Sequence, residues 1–435
     1  MLCSLAPGRG RGSGRGGFHS FTRSLVHLFT KNGVSVTSEN KGPLAGIKVI
    51  ELGTLIAGPF CARMLAEFGA EVIKIEAPEG GDQLRQWRKM YQGTSLWWYV
   101  QGRNKKSVTV NLRAPEGQAI VRELARDADI VVENFRPGAL EKWNIGWEQL
   151  SKINPKLIMV RLSGYGQDGP YRDRPGFGVV AEAMSGMRYV TGYPEQPPVR
   201  MGISIGDGIA ALHGVIGAMM ALHHRTAHGG KGQIVDVALY ESVFNMMESF
   251  IPEFDVLGYK RERAGNALPG ITPSNTYATR DGKYVIIGAN NDSLFKRMML
   301  AVGRADLAHD ATLATNSGRV PRAAELDKAI EDWTRTQDLA AVLNALEQAE
   351  IPAGRVYDPE DILNDVHYAA RKMIEQWPLP DGKPMRIPAV TPKLTDTPGS
   401  TRWLGPKLGE HTAGVLAALG YSEAQQALLR DKKII

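Results

Sequence analysis

From Leu44 onward the chain alternates short apolar runs with longer amphipathic ones, and no other feature constrains its fold as tightly. Ile47 to Leu52 (IKVIEL) reads as a buried strand, Phe60 to Phe68 as a helix ended by Gly69, and Val72 to Ile75 as the next strand. These three make one βαβ unit. The pattern then repeats. Val108 to Leu112 reads as a strand, Pro115 opens a helix from its favoured first-turn position, and Ile130 to Glu133 and Lys156 to Leu162 are further strands. Strands spaced by helices in this way dictate a parallel sheet with helices on both faces.

Further along, Asp207 to Arg225 reads as a long apolar helix, Gln233 to Ala238 as a strand and Leu239 to Phe250 as a helix. The character then changes. A strand at Lys283 to Gly288 is followed by helices at Leu294 to Val302, Ala323 to Trp333 and Leu339 to Gln348. The expected class is α/β: a large domain on a parallel, Rossmann-like sheet (residues 43–250) and a smaller α+β domain (251–355). Residues 356–435, rich in proline from Pro378 to Pro392, are expected to run over the surface and return to the large domain, with a short helix after Gly409.

Composition narrows the function classes. The charge of +6 over 435 residues is modest, and the basic groups are scattered with no nucleic-acid-binding signature. Two cysteines, Cys3 and Cys61, exclude a disulfide framework and fit a reducing compartment. Gly, His or charge interrupts the apolar runs, so no membrane span is expected. Residues 1–42 are rich in Gly, Ser and Arg, with a first acid only at Glu39. Such a segment cannot bury a core. It reads as a disordered or targeting extension, and the expected location is cytoplasmic, or the mitochondrial matrix if the segment is a transit peptide.

Several motifs fail on their context. Gly164 to Gly169 (GYGQDG) follows a strand, but Pro170 and Pro175 come next where a dinucleotide site needs a helix. It reads as a glycine-rich turn. His223, His224 and His228 lack a carboxylate or thiol at ligand spacing, so no metal is expected. Ser204 fits the string G-x-S-x-G with His411 as a distant base, but Asp207, not Ser204, stands where the helix begins.

Asp207 is the residue on which the chemistry turns. It lies between Gly206 and Gly208 among small apolar neighbours. It reads as a helix cap or as a nucleophile, and the two roles are compatible. A helix end favours the ionised carboxylate, and the glycines admit a substrate closely. Arg103 to Ser107, Arg113, Arg136 and Lys142 fall near strand ends, where positive groups suit a phosphorylated ligand.

Read in order, LAGIKVIEL, AGPF (Ala57 to Phe60), GAEVIKIE, GRNKKSVTVNLRAPEG, DIVVENFRPGAL, SGYGQDGP, the block around Asp207 and the closing LGEHT resemble the class III CoA-transferases. The resemblance implies an interlocked-ring homodimer and no bound cofactor, with a coenzyme A thioester as substrate. It implies Asp207 as the catalytic nucleophile, passing through aspartyl anhydride and aspartyl-CoA thioester intermediates. It assigns coenzyme A contacts to Ile56, Ala57, Lys105, the strand Val110, Asn111, Leu112 and Arg113, then Asn134, Phe135, Arg136 and Lys142. Three positions depart from the family pattern: Ile56 stands for a glutamine, Ala77 for an arginine and Gly178 for an acid. Backbone amides near Ile56 and Ala57 are then expected to polarise the thioester carbonyl.

The blocks PGFGVVAEAMSG and LPGITPSNTY look most like members that use succinyl-CoA and small dicarboxylic acids. Arg188, Arg200 and Asn275 are candidates for a distal carboxylate. The alternative is an α-methylacyl-CoA racemase-type isomerase, which pairs histidine with aspartate where this chain reads Gly176-Phe177-Gly178. A third possibility is a coenzyme A-binding subunit that needs a paralogous partner.

Overall fold

The computed structural model describes residues 42–435. The expectations for the N-terminal extension and Cys3 lie outside the described residues, apart from Gly42. The six predicted strands of the first half assemble into one sheet: β1 (Lys48–Glu51), β2 (Glu71–Glu76), β3 (Lys105–Thr109), β4 (Ile130–Glu133), β5 (Ile158–Ser163) and β6 (Ile234–Ala238). Every pairing in it is parallel, and the spatial order is β3-β2-β1-β4-β5-β6. The order reverses between β1 and β4. Such a reversal opens a crevice beyond the carboxyl ends of the strands.

Apolar side chains on the two faces of the sheet form two cores. Val49, Val72, Ile130, Ile158 and Val160 pack beneath α1 (Ala57–Glu67). Ile50, Ile75, Val131 and Met159 pack with α2 (Pro115–Ala125). Leu416 and Ile434 join this second core from the chain's end. A third core draws only on residues between Tyr277 and Ile351. It lies around an antiparallel sheet of β7 (Ser274–Ala278), β8 (Tyr284–Gly288) and β9 (Ala353–Arg355).

The apolar helix is α4 (Ile205–Ala227), preceded by α3 (Gly178–Met184) and followed by α5 (Leu239–Phe244). Its buried flank is small: Ala210, Ala211, Gly214, Ala218 and Ala221. At Gly217 an added Cβ would fall 2.3 Å from a Val235 methyl, so only glycine lets the helix lie this close to β6. By length and composition α4 could cross a bilayer, contrary to the sequence expectation. In the fold one flank is core, packed on α1 and the sheet.

Three local expectations need correction. Strand β3 begins at Lys105 rather than Val108, because two lysines that look like surface residues are drawn into the sheet. The helix expected from Leu239 to Phe250 stops at Phe244, and a separate one covers Phe250–Leu257. The proline-rich tail is not all connector. Ile374–Pro378 and Pro384–Pro388 pair antiparallel, with the prolines at the strand ends, where they remove few ladder bonds.

Candidate active site

Two clefts lie at the carboxyl ends of the parallel strands. The first, about 500 Å³, is lined by the loop after β1 (Thr54, Leu55, Ile56, Ala57), the loop after β4 (Asn134, Phe135, Arg136) and the nucleophile candidate Asp207. The second, about 490 Å³, is lined by Val110, Asn111, Leu112 and Arg113 after β3 and by Lys74, Glu76 and Asp82. The two share Thr54 and Phe135. They flank the point where the strand order reverses.

The loop after β1 is held from below by buried charge. Lys74 Nζ pairs with Glu51 at 2.8 Å and Asp82 at 2.8 Å, and donates to the Gly53 carbonyl. Asp82 accepts the N–H groups of Leu55 (3.0 Å) and Leu84 (2.9 Å). Leu55 itself sits at φ 64°, a left-handed conformation that costs a non-glycine residue energy and here is fixed by that carboxylate. From the side, Asn134 accepts the Thr54 N–H at 2.8 Å and returns a bond to the Thr54 carbonyl at 2.9 Å. The loop therefore delivers Ile56 and Ala57 to the cleft in one conformation. Ile56 caps α1 with no side-chain bond, so the Ala57 and Gly58 N–H groups are free to meet an anion, while Pro59 has none to offer.

Asp207 lies inside the first turn of α4. The helix starts at Ile205, Ser204 holds the cap position, and the Gly208 N–H already bonds the Ser204 carbonyl. The reading of Asp207 as the cap is thereby corrected. Burial, and then the Glu182 carboxylate, push the Asp207 carboxyl up to about 6, against its own N–H and Arg200. Gly178 packs directly on it: an added Cβ there would fall 2.2 Å from Asp207 Oδ2. At neutral pH the group is largely ionised yet poorly solvated, and such a carboxylate is a stronger nucleophile than an exposed one.

The structure brings together most of the residues picked from sequence, but not all. Ile56, Ala57, Asn134, Phe135, Arg136 and Asp207 share the first cleft. Val110 to Arg113 line the second. Lys142 is exposed at the end of a short helix and lines neither. Lys105 does not face a ligand. It is 1% exposed, paired to Glu51 at 2.7 Å, and donates to the Pro59 carbonyl. Its position inside the β3–β2 pairing, concealed by the basic run around it, explains the difference.

Of the candidates for a distal carboxylate, Arg200 lines the first cleft. Arg188 is paired to Glu182 at 3.2 Å, and Asn275 is bonded to Asp327 at 2.9 Å in the third core's sheet. Sequence reasoning passed over Arg172, Arg174 and Trp87, which also line the first cleft, and Lys433, which lines the second. The two arginines were visible as the RDR step after the glycine-rich turn, but nothing in that step shows which way the loop folds.

The competing chemistries find less support. Among the described residues no histidine lines the first cleft. His411 accepts the Ser107 N–H and lines a different cleft from Ser204. Among the described residues no three His, Cys, Asp or Glu side chains gather as a metal site requires.

Comparison with known proteins identifies the family. Residues 44–412 match CoA-transferase family III. The chain is 48% identical to the succinyl-CoA–D-citramalate CoA-transferase of Chloroflexus aurantiacus, over 90% of this chain and 98% of that one. It is 44% identical to the beta subunit of that organism's succinyl-CoA–L-malate CoA-transferase, with the same coverage. With the succinyl-CoA:glutarate CoA-transferase of Mus musculus it shares 32% over 96% of this chain and 93% of that one. A solved CAIB/BAIF family protein from Brucella suis superposes with a TM-score of 0.76 at 35% identity, over 87% of this chain and 99% of that one. This chain belongs to CoA-transferase family III and is an enzyme of the CoA-transferring class.

Proposed function

We propose that the enzyme moves coenzyme A from succinyl-CoA to a small dicarboxylic acid, with Asp207 as the covalent relay. The observation that carries this reading is the first cleft, where a raised carboxylate shares one space with the uncapped end of α1. An Asp207 oxygen attacks the thioester carbonyl, and the C–S bond breaks to leave an anhydride and the thiolate of coenzyme A. The thiolate attacks the aspartyl carbonyl, releasing succinate and leaving an aspartyl thioester. The acceptor carboxylate displaces the thiolate, and the thiolate then opens the new anhydride at the acceptor carbonyl. Asp207 returns as a carboxylate, and no net proton or electron moves. In this reading the Ala57 and Gly58 N–H groups at the start of α1 stabilise the oxygen on which negative charge develops.

The second cleft continues from the first through Thr54 and Phe135, and Arg113 and Lys433 suit the anionic end of coenzyme A. Arg200 has no hydrogen bond or ion pair among the described residues. It is the guanidinium best able to fork onto the distal carboxylate of a dicarboxylic acid.

The same reading includes a homodimer of interlocked chains. The outer flank of α4 exposes Leu212, Ile216 and Met220, one turn apart, and Phe254 and Leu257 are likewise exposed. A row of this kind favours burial against another chain. Some relatives are named as alpha and beta subunits, so a mixed assembly is the competing form.

The test is to supply succinyl-CoA with a panel of acids and follow new thioesters by mass spectrometry. Wild-type protein is expected to make them and Asp207→Asn is not. Hydroxylamine added during turnover is expected to label the Asp207 peptide. Full turnover by the variant would remove Asp207 from the mechanism.

A further inference from the structure

Gly178 stands where the family pattern has an acid, and the geometry shows why one would not fit: Asp207 Oδ2 occupies the space. An acid is nonetheless present one helical turn later. Glu182 lies four residues on along α3, on the same face as Gly178. It is 2% exposed. It packs beside the backbone that carries the nucleophile: a Cβ added to Gly206 would meet Glu182 Cγ at 3.3 Å. Its Oε2 accepts from Arg188 Nε at 3.2 Å, while its Oε1 is buried with no hydrogen-bond partner. A buried carboxylate oxygen without a partner is costly, and such groups persist where they have a task.

We infer that Glu182 is a positioning residue that sets the reactivity of Asp207 by holding a second negative charge against it. This rests on the reading of Asp207 as nucleophile. Before attack, the Glu182 carboxylate lies behind the Gly206 backbone next to the nucleophile and opposes its charge. When an Asp207 oxygen bonds to the acyl carbon, its charge leaves with the thiolate, and the repulsion is relieved. Glu182 therefore raises the free nucleophile relative to its acylated forms.

The other charges around Asp207 act the opposite way or lie farther out. Arg200, from the segment before α4, stabilises the anion. Arg172, Arg174 and Arg136 line the same cleft, and Arg188 partners Glu182 from beyond α3.

The experiment compares wild type with Glu182→Gln in two measurements. The first is the pH profile of single-turnover acylation by succinyl-CoA. Asp207 must be ionised to attack, so the wild-type rate falls as pH drops through its pKa. Removing the neighbouring charge is expected to move that acid limb to lower pH. It should also slow acylation at pH 8 roughly threefold to tenfold, as a less basic nucleophile would. A merely structural role would leave the limb in place. The second is hydroxylamine labelling at Asp207, which should persist in Glu182→Gln.

If wild-type protein is not labelled, the nucleophile reading fails. If labelling holds and the acid limb of a folded Glu182→Gln does not move, the role of Glu182 is overturned. Should that variant not fold, Glu182→Asp keeps the charge but withdraws it. It is expected to move the limb the same way by less, and an unmoved limb there overturns the inference equally.

Discussion

Asp82 and Asp207 border neighbouring clefts on the same sheet, both largely out of solvent, and the fold treats them in opposite ways. Burial would raise either carboxyl. At Asp82 the Lys74 ammonium and the amides of Leu84 and Leu55 outweigh it, and the group is held below the ordinary aspartate range. At Asp207 no ion pair forms among the described residues, the Glu182 carboxylate acts in the same direction as burial, and the group is pushed up to about 6. The first aspartate is fully engaged in shaping the loop that presents Ile56 and Ala57. The second is only weakly compensated, by its own N–H and by Arg200, as the proposed nucleophile would be. A carboxylate's surroundings, more than its identity or depth, decide whether it builds the site or acts in it.

The largest effect should come from removing the weakly compensated group. Asp207→Asn is expected to lower kcat by at least about 10³-fold, measured as thioester formed from succinyl-CoA. A loss of less than tenfold would put the two aspartates in the same class.

On the Asp82 side the cost should appear in stability. Lys74→Met leaves Glu51 and Asp82 buried with one cation fewer, and should cost about 3–5 kcal/mol in urea unfolding. Lys105 remains beside Glu51, which places the value toward the lower end.

Arg200→Leu comes next. If the free guanidinium holds a distal carboxylate, KM for dicarboxylic acceptors should rise about tenfold while monocarboxylic acceptors change little. An equal rise for both would assign Arg200 to Asp207 instead.

The smallest effect has a sign that separates the two aspartates. Asp207 titrates higher in the folded protein than in the unfolded chain, so the folded state holds its proton longer. The stability this gives is complete at low pH and lost as pH rises through about 6. Asp207→Asn should therefore gain roughly 1–2 kcal/mol over wild type at pH 8, after allowance for solvent in the cleft, and show no gain at pH 4. Asp82 runs the other way. Its stabilisation is present above the ordinary aspartate pKa and disappears as pH falls through its lowered value. Chemical denaturation at the two pH values checks both signs.

The sheet and one of the two aspartates were legible in the residues alone. The parallel sheet followed from short apolar runs, which survive as β1, β2, β4, β5 and β6 with ends shifted by a residue or two. Asp207 stood out as a candidate because glycines flank it at the start of an apolar helix. The buried ion pairs could not, because a lysine beside a strand looks the same whether it meets water or Glu51. Strand β3 was misplaced for that reason. Arg172 and Arg174 escaped because a loop's path depends on contacts distant in sequence. The pairing of Ile374–Pro378 with Pro384–Pro388 escaped because prolines conceal strands.

The contact between Gly178 and Asp207 also bears on how such a sequence can change over generations. No residue larger than glycine enters position 178 while the aspartate keeps its present orientation. An acid at 178 requires Asp207 to take another rotamer or its helix to shift, so the two positions should change together. Grafting that acid alone should inactivate the enzyme, and a library should recover it only when the first turn of α4 is varied together with it.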